Sequence, residues 1–600
     1  MKEPRMHISD TRRMGGRKVD TKYVLANLLR YLKPHLALFI IVFILNIVAV
    51  VLSLIGPRLS GDAIDLIKPD GSTDMSAIYY CCALLAGVYL LSGVLSYLSA
   101  VGMAYVARKV ACTMREDTFA RLISLPVSYF DSRQAGDIIS VLSYDIDTVN
   151  ESLANDVVLV VNSAVQIVGS FIMMLTISPV LVLVFVVTIP ISVLITRYLA
   201  KKVQPLFRKR SAKLGGLNGF VEEMISGQKT TKAYGCEQVI IDKFEVKNTE
   251  AVEAYGNAEY LSTMTGPINN FMNNLALTLI SVFGALMYMF SFGGIVKVGQ
   301  VASFVLYSRK FSGPINEIAN VFGEFQSAVA AAERVFRVLE EAPEAPDPPD
   351  AIVPRGICGD VDIRNLSFGY VNGREVIHNF SLTAERGDVI AIVGRTGAGK
   401  TTIINLLMRF YDPDGGRIML DGVDISRYTR AGLRGCFTMV LQDTWLFAGT
   451  VYENIAYGKP GATREEVERV CKAAKIHSFI TRLPQGYDTL LSDNAVNISK
   501  GQKQLLTIAS AMLIDSPMLI LDEATSNVDT RTEHVIQQAM TALMRGRTCF
   551  VIAHRLSTIK NADKILVMEG GDVVEQGTHA QLLAQKGMYY NLYKSQFESY

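Results

Sequence analysis

Residues Gly394 to Thr402 read G-R-T-G-A-G-K-T-T, and no other stretch limits the fold of this chain so narrowly. An apolar, strand-like run, Val389 to Val393, comes directly before it, and Ile403 to Met408 continues it with the pattern of a helix start. Strand, glycine turn and helix N-terminus in series is the setting in which G-x-x-x-x-G-K-[ST] acts as a phosphate-binding loop. Gly394, Gly397 and Gly399 let the backbone curl so that successive N–H groups point inward. The positive end of the following helix dipole adds to the same spot. Arg395, Thr396, Ala398 and Thr402 belong to the same cradle, so the whole run is expected to hold a polyphosphate. Lys400 would sit against the outer phosphates as a point charge, and the Thr401 hydroxyl would join a Mg²⁺ shell made otherwise of water and phosphate oxygens. A chance glycine turn is the alternative, and the flanking strand and helix count against it.

At 600 residues the chain is too long for one core, so at least two domains are expected. Hydrophobic residues make up 50% and the mean hydropathy is +0.26, so the apolar excess must be concentrated outside the phosphate-binding part. Lys+Arg 59 against Asp+Glu 57 is close to neutral and suggests no nucleic-acid partner. The eight cysteines are scattered without a C-x-x-C, and read as free thiols rather than a disulfide frame or a zinc site. Seven Lys and Arg residues from Lys2 to Lys22 precede any apolar run, with no short apolar region and cleavage site after them, which argues against a cleaved signal peptide.

The apolar excess falls into membrane-length runs. Leu36 to Ile55 and Ala77 to Ala107 are each long enough to cross a bilayer as a helix, and a short polar connection joins them into a hairpin. Val157 to Ile177 and Val180 to Thr196, separated by Ser178-Pro179, form a second hairpin; Phe271 to Val296 is the fifth span. The sixth is weaker, because Arg309 and Lys310 interrupt Val298 to Phe325. The long charged connections carry Arg108, Lys109, Arg115, Arg121, Lys201, Lys202, Arg208, Lys209 and Arg210. By the positive-inside rule the N-terminus, these connections and the phosphate loop are cytoplasmic, in a multi-pass cell-membrane protein. The connections read as membrane helices continued into the cytoplasm, with turns expected around Phe130 to Ile138 and Phe220 to Ser226. Ala342 to Asp350 (A-P-E-A-P-D-P-P-D) is a proline-rich acidic linker. The expected division is 1–35, a cytoplasmic segment; 36–341, the transmembrane domain; 342–358, the linker; and 359–600, the nucleotide-binding domain.

From Gly359 short apolar runs alternate with glycine turns, the mark of an α/β domain. Met518 to Leu521, M-L-I-L, suits a buried parallel strand and ends in Asp522-Glu523. Carboxylates at a strand's C-terminal edge, beside a phosphate loop in the same sheet, are placed to bind Mg²⁺ and to polarise water. Asp522 is assigned to the metal and Glu523 to general-base work. The fold class is thus an all-α transmembrane domain of six long helices followed by an α/β P-loop ATPase domain with a helical subdomain.

The run N-I-S-K-G-Q-K-Q-L-L at Asn497 to Leu506, ahead of L-I-L-D-E-A-T-S, resembles the signature of ATP-binding cassette proteins. Gln442 in V-L-Q-D and His554 in I-A-H-R complete the set, and the whole chain resembles an exporter half-transporter of that family. The resemblance implies a pair of such chains sandwiching two ATP molecules, with the phosphate loop of one chain facing the signature of the other. It implies that Tyr370 in F-G-Y stacks on adenine, and that Gln442 touches Mg²⁺ and reports to the membrane domain. Ser499, Gly501 and Gln502 would contact the γ-phosphate of the partner's ATP, His554 would hold the transition-state geometry, and Asp529 would bridge the cassettes. The two cytoplasmic turns would pass cassette closure to the spans.

Two departures stand out. The family's usual signature is L-S-G-G-Q; here Ile498 replaces the leucine and Lys500 the first glycine, and Ser492 to Ala495 lacks the usual glutamate-containing run. A side chain at 500 crowds a place where backbone normally approaches phosphate, although a lysine can also attract it. With Glu523 intact and the signature altered, a heterodimer with one strong and one weak site is favoured over a homodimer. Asn269, Asn270, Asn273 and Asn274 broadly share one face at the start of the fifth span and fit interhelical hydrogen bonding. Arg309 and Lys310 must face a cavity or a partner. ATP-driven export of amphipathic drug-like molecules, lipids or peptides is the leading expectation. A lipid flippase with the same engine and a non-pumping, ATP-gated regulatory protein are the alternatives.

Overall fold

The computed structural model describes residues 21–67, 74–290, 297–371, 373–441, 444–491, 498–522, 530–552 and 559–597. The chain divides into two compact units. One holds Val19–Ile123 and Gly136–Glu341, the other Ser124–Ala135 and Ala342–Tyr600.

The first unit is helical. Its long helices include α1 (Leu36–Asp65), α2 (Met75–Ile123), α3 (Val157–Ile177), α4 (Pro179–Ser226), α5 (Thr265–Phe290) and α6 (Val298–Glu340), and a further long helix, Glu237–Thr263, leads into α5. Four helical stretches among the described residues are long and apolar enough to cross a membrane: Thr21–Asp65, Met75–Ile123, Ala135–Ile177 and Glu237–Phe290. In α1 apolar side chains point in every direction; Ile40, Ile41, Ile44 and Val48 are exposed while Val42, Asn46 and Ala49 are buried, as suits a helix with lipid on one side and protein on the other. Buried polar groups tie the helices together. Ser92 and Ser99 of α2 donate to the carbonyls of Ala49 and Val42, and Asn46 donates to Asn162 at 2.5 Å. Ser178 is extended, accepts a bond from the Leu181 N–H and is followed by Pro179, which starts α4 at the break that the Ser-Pro pair predicts.

The first expected turn overlaps the observed one, which begins earlier and closes at residues 132–134, whereas the second lies just beyond its expected range. α2 stops at Ile123, because Pro126 is extended and the chain then makes a short helix, Val127–Asp131, before resuming at Ala135. α4 runs through Phe220 to Ser226, a stretch with no helix breaker, and the chain turns at Gly227 and at Gly235, whose φ is +60°. The sixth span also differs from the sequence pattern: Arg309 and Lys310 do not interrupt it, and α6 is one uninterrupted helix of 43 residues.

The second unit is built on a six-stranded sheet. Its strands are β1 (Val389–Gly394), β2 (Phe437–Val440), β3 (Met518–Asp522), β4 (Thr548–Ile552), β5 (Lys564–Glu569) and β6 (Asp572–Gly577), in the spatial order β6-β5-β1-β4-β3-β2. All neighbours are parallel except β5 and β6. Continuous apolar runs make β3 and β4, as expected of strands covered on both faces. One apolar layer, including Leu505, Ile508 and Ile536, lies on one face; the other, including Ile403, Leu406 and Phe380, lies beneath a four-stranded antiparallel sheet. The register decides the chemistry: Ile552 of β4 faces Ile392 of β1 on one side and Asp522 of β3 on the other, so the Asp522 carboxylate leaves the sheet at the edge where the glycine loop begins.

Candidate functional site

The loop after β1 has the backbone that its glycines foretell. Gly397 and Gly399 have φ of +85° and +98°, and Gly399 caps the helix α7 (Lys400–Leu407). A side chain at Gly394 would run into the Met568 carbonyl, and one at Gly399 into Ile377, so neither position accepts anything larger. Arg395, Thr396 and Gly397 are exposed and Ala398 is buried, which leaves the outer rim of the loop open to a ligand. Lys400 is buried, and its ammonium curls back to donate to the carbonyls of Gly394 (2.8 Å) and Arg395 (3.1 Å). Burial holds its pKa below the ordinary lysine value, while the Asp522 carboxylate acts to raise it. Thr401, one residue on, is exposed at the first turn of α7, so its hydroxyl is open to a ligand. Thr401 and Asp522 are oxygen donors of the type Mg²⁺ takes, and the phosphate cradle beside them suits an ion that keeps most of its water.

Tyr370 stands against the side of α7. Its hydroxyl donates to Thr402 at 3.2 Å and accepts from Asn405 at 3.3 Å, and its ring meets Phe368 and Tyr411 edge to face. Tyr370 is 36% exposed, which leaves ring surface for a stacking partner. Ser499 caps the helix α8 (Lys500–Ile514): its hydroxyl accepts from the Gln502 N–H and the Gln502 side chain accepts from the Ser499 N–H. Gly501 is buried at that first turn, whereas Lys500 points out and is exposed. Gln442, Glu523, His554 and Asp529 lie outside the described residues.

Sequence reasoning misses the segment that follows α7, Arg409-Phe410-Tyr411-Asp412. The Tyr411 hydroxyl donates to Asp131 of the first turn at 2.7 Å, and burial together with that carboxylate raises the phenol's pKa, so it stays a donor. Arg409 and Arg430 both donate to Asp412 at 2.9 Å; burial acts to raise that carboxyl's pKa, but the two guanidiniums outweigh it and hold it below the ordinary range. Arg434 lies over Phe410 and grips Glu344 of the proline-rich linker through both carboxylate oxygens, while the Glu344 N–H donates to the Ser124 carbonyl at 2.9 Å. Two aromatics between an arginine and an aspartate, directly after a phosphate-loop helix, are the only signal the sequence offers for it.

Matches to known proteins extend over both units. The family model described as the ABC transporter transmembrane region matches residues 39–315, and that described as ABC transporter matches residues 377–526. The chain is 41% identical over 579 residues to the uncharacterized ABC transporter ATP-binding protein YfiC of Bacillus subtilis, covering 96% of this chain and 95% of the relative. It is 38% identical over 606 residues to the fatty acid ABC transporter ATP-binding/permease protein of Mycobacterium tuberculosis (94% and 95% covered). Identity to the ATP-dependent lipid A-core flippase of Salmonella typhimurium is 36% over 534 residues (88% and 90% covered). Among solved structures, a bacterial Atm1-family ABC exporter with ATP bound superposes with a TM-score of 0.73 at 29% identity, covering 94% of this chain and 98% of that one.

Proposed function

Since the chain belongs to the ATP-binding cassette transporters, as an exporter-type half-transporter that couples ATP hydrolysis to export across a membrane, we propose that its cargo is a lipid-like amphipathic molecule. The observation that carries this reading is that two relatives matched over nearly the whole chain are named for a fatty acid and for lipid A-core. An apolar cavity of about 520 Å³ between α1 and α3, lined by residues such as Val51, Leu54, Val168 and Ile172, suits an aliphatic chain better than a peptide. Drug-like molecules are the second reading, favoured by nothing beyond the adaptable Met and aliphatic lining.

The engine follows from the cassette. Gly394 to Thr402 holds the phosphates, Tyr370 stacks on adenine, and Ser499, Gly501 and Gln502 meet the γ-phosphate bound by a second chain. Thr401, Asp522 and Gln442 would hold Mg²⁺, which supplies charge neutralisation at the transferring phosphate. Lys400 exchanges its two loop carbonyls for phosphate oxygens. Glu523 takes a proton from the attacking water and His554 fixes the geometry around it. Half-transporters of this fold work as dimers, and here the partner is a second, non-identical half-transporter, because Lys500 alters the signature that serves the partner's nucleotide. The N-terminus, both turns and the cassette face the cytoplasm, and the membrane domain, linker and cassette divide at 36–341, 342–358 and 359–600.

The test is ATP turnover by the purified chain in lipid nanodiscs, beside Glu523→Gln, with added fatty acid, phospholipid or drug. Stimulation by lipid-like amphiphiles alone supports the proposed cargo, whereas stimulation by drugs alone overturns it. Robust turnover by this chain without a partner, abolished by Glu523→Gln, would replace the heterodimer with a homodimer.

A further inference from the structure

α1 carries a proline in its interior, Pro57. Proline has no N–H, so the carbonyl four residues earlier, that of Ser53, loses its helical donor. In a membrane span such a carbonyl has no water to turn to and must be satisfied by a neighbouring helix. The donor comes from α6: the Lys310 ammonium donates to the Ser53 carbonyl at 2.7 Å and lies 3.3 Å from the Ser53 hydroxyl. Around this bond the two helices run antiparallel along a polar seam. Tyr307 donates to the Leu54 carbonyl at 2.5 Å, Ser303 donates to the Pro57 carbonyl at 2.9 Å, and the Gly299 N–H donates to Asp65 at 2.7 Å. Positions 299, 303, 307 and 310 recur at helical spacing, so the seam occupies one stripe of α6. Arg309, next in sequence to Lys310, is exposed and points elsewhere.

We propose that Lys310 is a positioning residue, which supplies to α1 the donor that Pro57 removes and thereby fixes α1 against α6. The two residues are halves of one device. Proline opens the backbone of the first span, and a lysine long enough to reach across closes it, with its charge solvated by a carbonyl dipole rather than, among the described residues, by an acidic partner. The cost of a charge in the span and the cost of an orphaned carbonyl are met by the same bond. The ammonium is thereby committed to α1 rather than offered to cargo. α6 continues in one helix to Glu340, where the linker to the cassette begins, so the bond fixes the first span to the helix through which the chain reaches its ATPase.

A double-mutant experiment on the full chain in nanodiscs tests this, reading the thermal midpoint and ATP turnover. Lys310→Met orphans the Ser53 carbonyl, and both quantities fall, turnover on the order of tenfold. Pro57→Ala returns a backbone N–H to the helix, so in the double variant Pro57→Ala/Lys310→Met both quantities recover. Lys310→Gln, which keeps a donor, falls between. A lysine acting through its charge, on cargo or on an acidic group, would gain nothing from Pro57→Ala. The inference is overturned if the double variant is as impaired as Lys310→Met, or if Lys310→Met is unimpaired. Should Lys310→Met fail to fold, recovery of folded protein in the double variant supports the inference, and continued failure to fold overturns it.

Discussion

Replacing Tyr411 by phenylalanine removes one hydroxyl and leaves the edge-to-face cluster with Phe368 and Tyr370 intact. What is lost is the 2.7 Å bond to Asp131, which ties the aromatic cluster to the first turn. A hydrogen bond to a carboxylate contributes about 1.5–3 kcal/mol when well shielded. Asp131 is exposed and Tyr411 half-buried, so solvent screening brings the figure to about 1 kcal/mol. That corresponds to roughly a fivefold loss in how firmly the turn is held. If the turn carries the state of the nucleotide site to the spans, Tyr411→Phe keeps ATP affinity within about twofold and loses most of the stimulation of turnover by cargo. Asp131→Asn, which still offers an oxygen acceptor, should keep that stimulation, and Asp131→Ala should lose it. The assay is nanodisc ATP turnover with and without a stimulating amphiphile, alongside ATP binding. Unchanged stimulation in Tyr411→Phe, with loss only in Tyr411→Ala, would show that the ring packs and the hydroxyl signals nothing.

Three further outcomes follow from the same geometry. Phosphates bound beside Lys400 raise an ammonium pKa that burial lowers in the free protein, so binding takes up a proton once the pH exceeds that lowered value. ATP affinity should therefore fall as the pH rises through it toward the ordinary lysine range, and Lys400→Met should bind weakly with no such fall; a flat profile in the native chain refutes the assignment. A side chain at Gly61 would strike the Ser303 hydroxyl and the Gly299 carbonyl, so Gly61→Ala should destabilise the helical unit by about 1–3 kcal/mol. Adding Ser303→Ala should not restore its thermal midpoint, because the backbone clash remains. Glu344→Ala leaves Arg434 without its carboxylate while Arg430 keeps Asp412; a cost of about 1–2 kcal/mol to the cassette unit is expected after discounting for partial exposure, read as a lower unfolding midpoint.

How much of this is legible depends on distance along the chain. The phosphate loop is readable because everything that makes it is local: apolar strand, positive-φ glycines and helix start lie close around Gly394. Pro179 and Ser178 likewise announce the start of α4 by themselves. The first turn starts earlier than composition suggests, at Pro126, and the second falls just past the expected stretch, because Gly227 and Gly235 are where the backbone changes. The long-range ties within each unit are invisible for a different reason: Tyr411 and Asp131 are 280 residues apart, and Lys310 and Ser53 are 257 apart. A charge in an apolar run is legible as a cost, but its remedy lies in another helix, and no pattern around Lys310 points to a carbonyl freed by Pro57.

Lys500 shows the reverse case, where the sequence poses a question and the fold restates it. As a replacement for glycine it reads as an obstruction. The fold gives it the first position of α8 with its side chain exposed, while Ser499 and Gln502 keep both halves of the cap and Gly501 keeps the buried position. Crowding of the backbone is then a weak account of what Lys500 does. What remains is its charge, set at the positive end of a helix dipole, where a cation costs stability unless an anion approaches. The two accounts separate experimentally. If crowding governs, Lys500→Gly should change ATP turnover while Lys500→Gln, of nearly the same length, leaves it as in the native chain. If charge governs, Lys500→Gln and Lys500→Gly should move turnover in the same direction and both should flatten its dependence on salt. A response to glycine alone would restore the obstruction and remove the electrostatic reading of this signature.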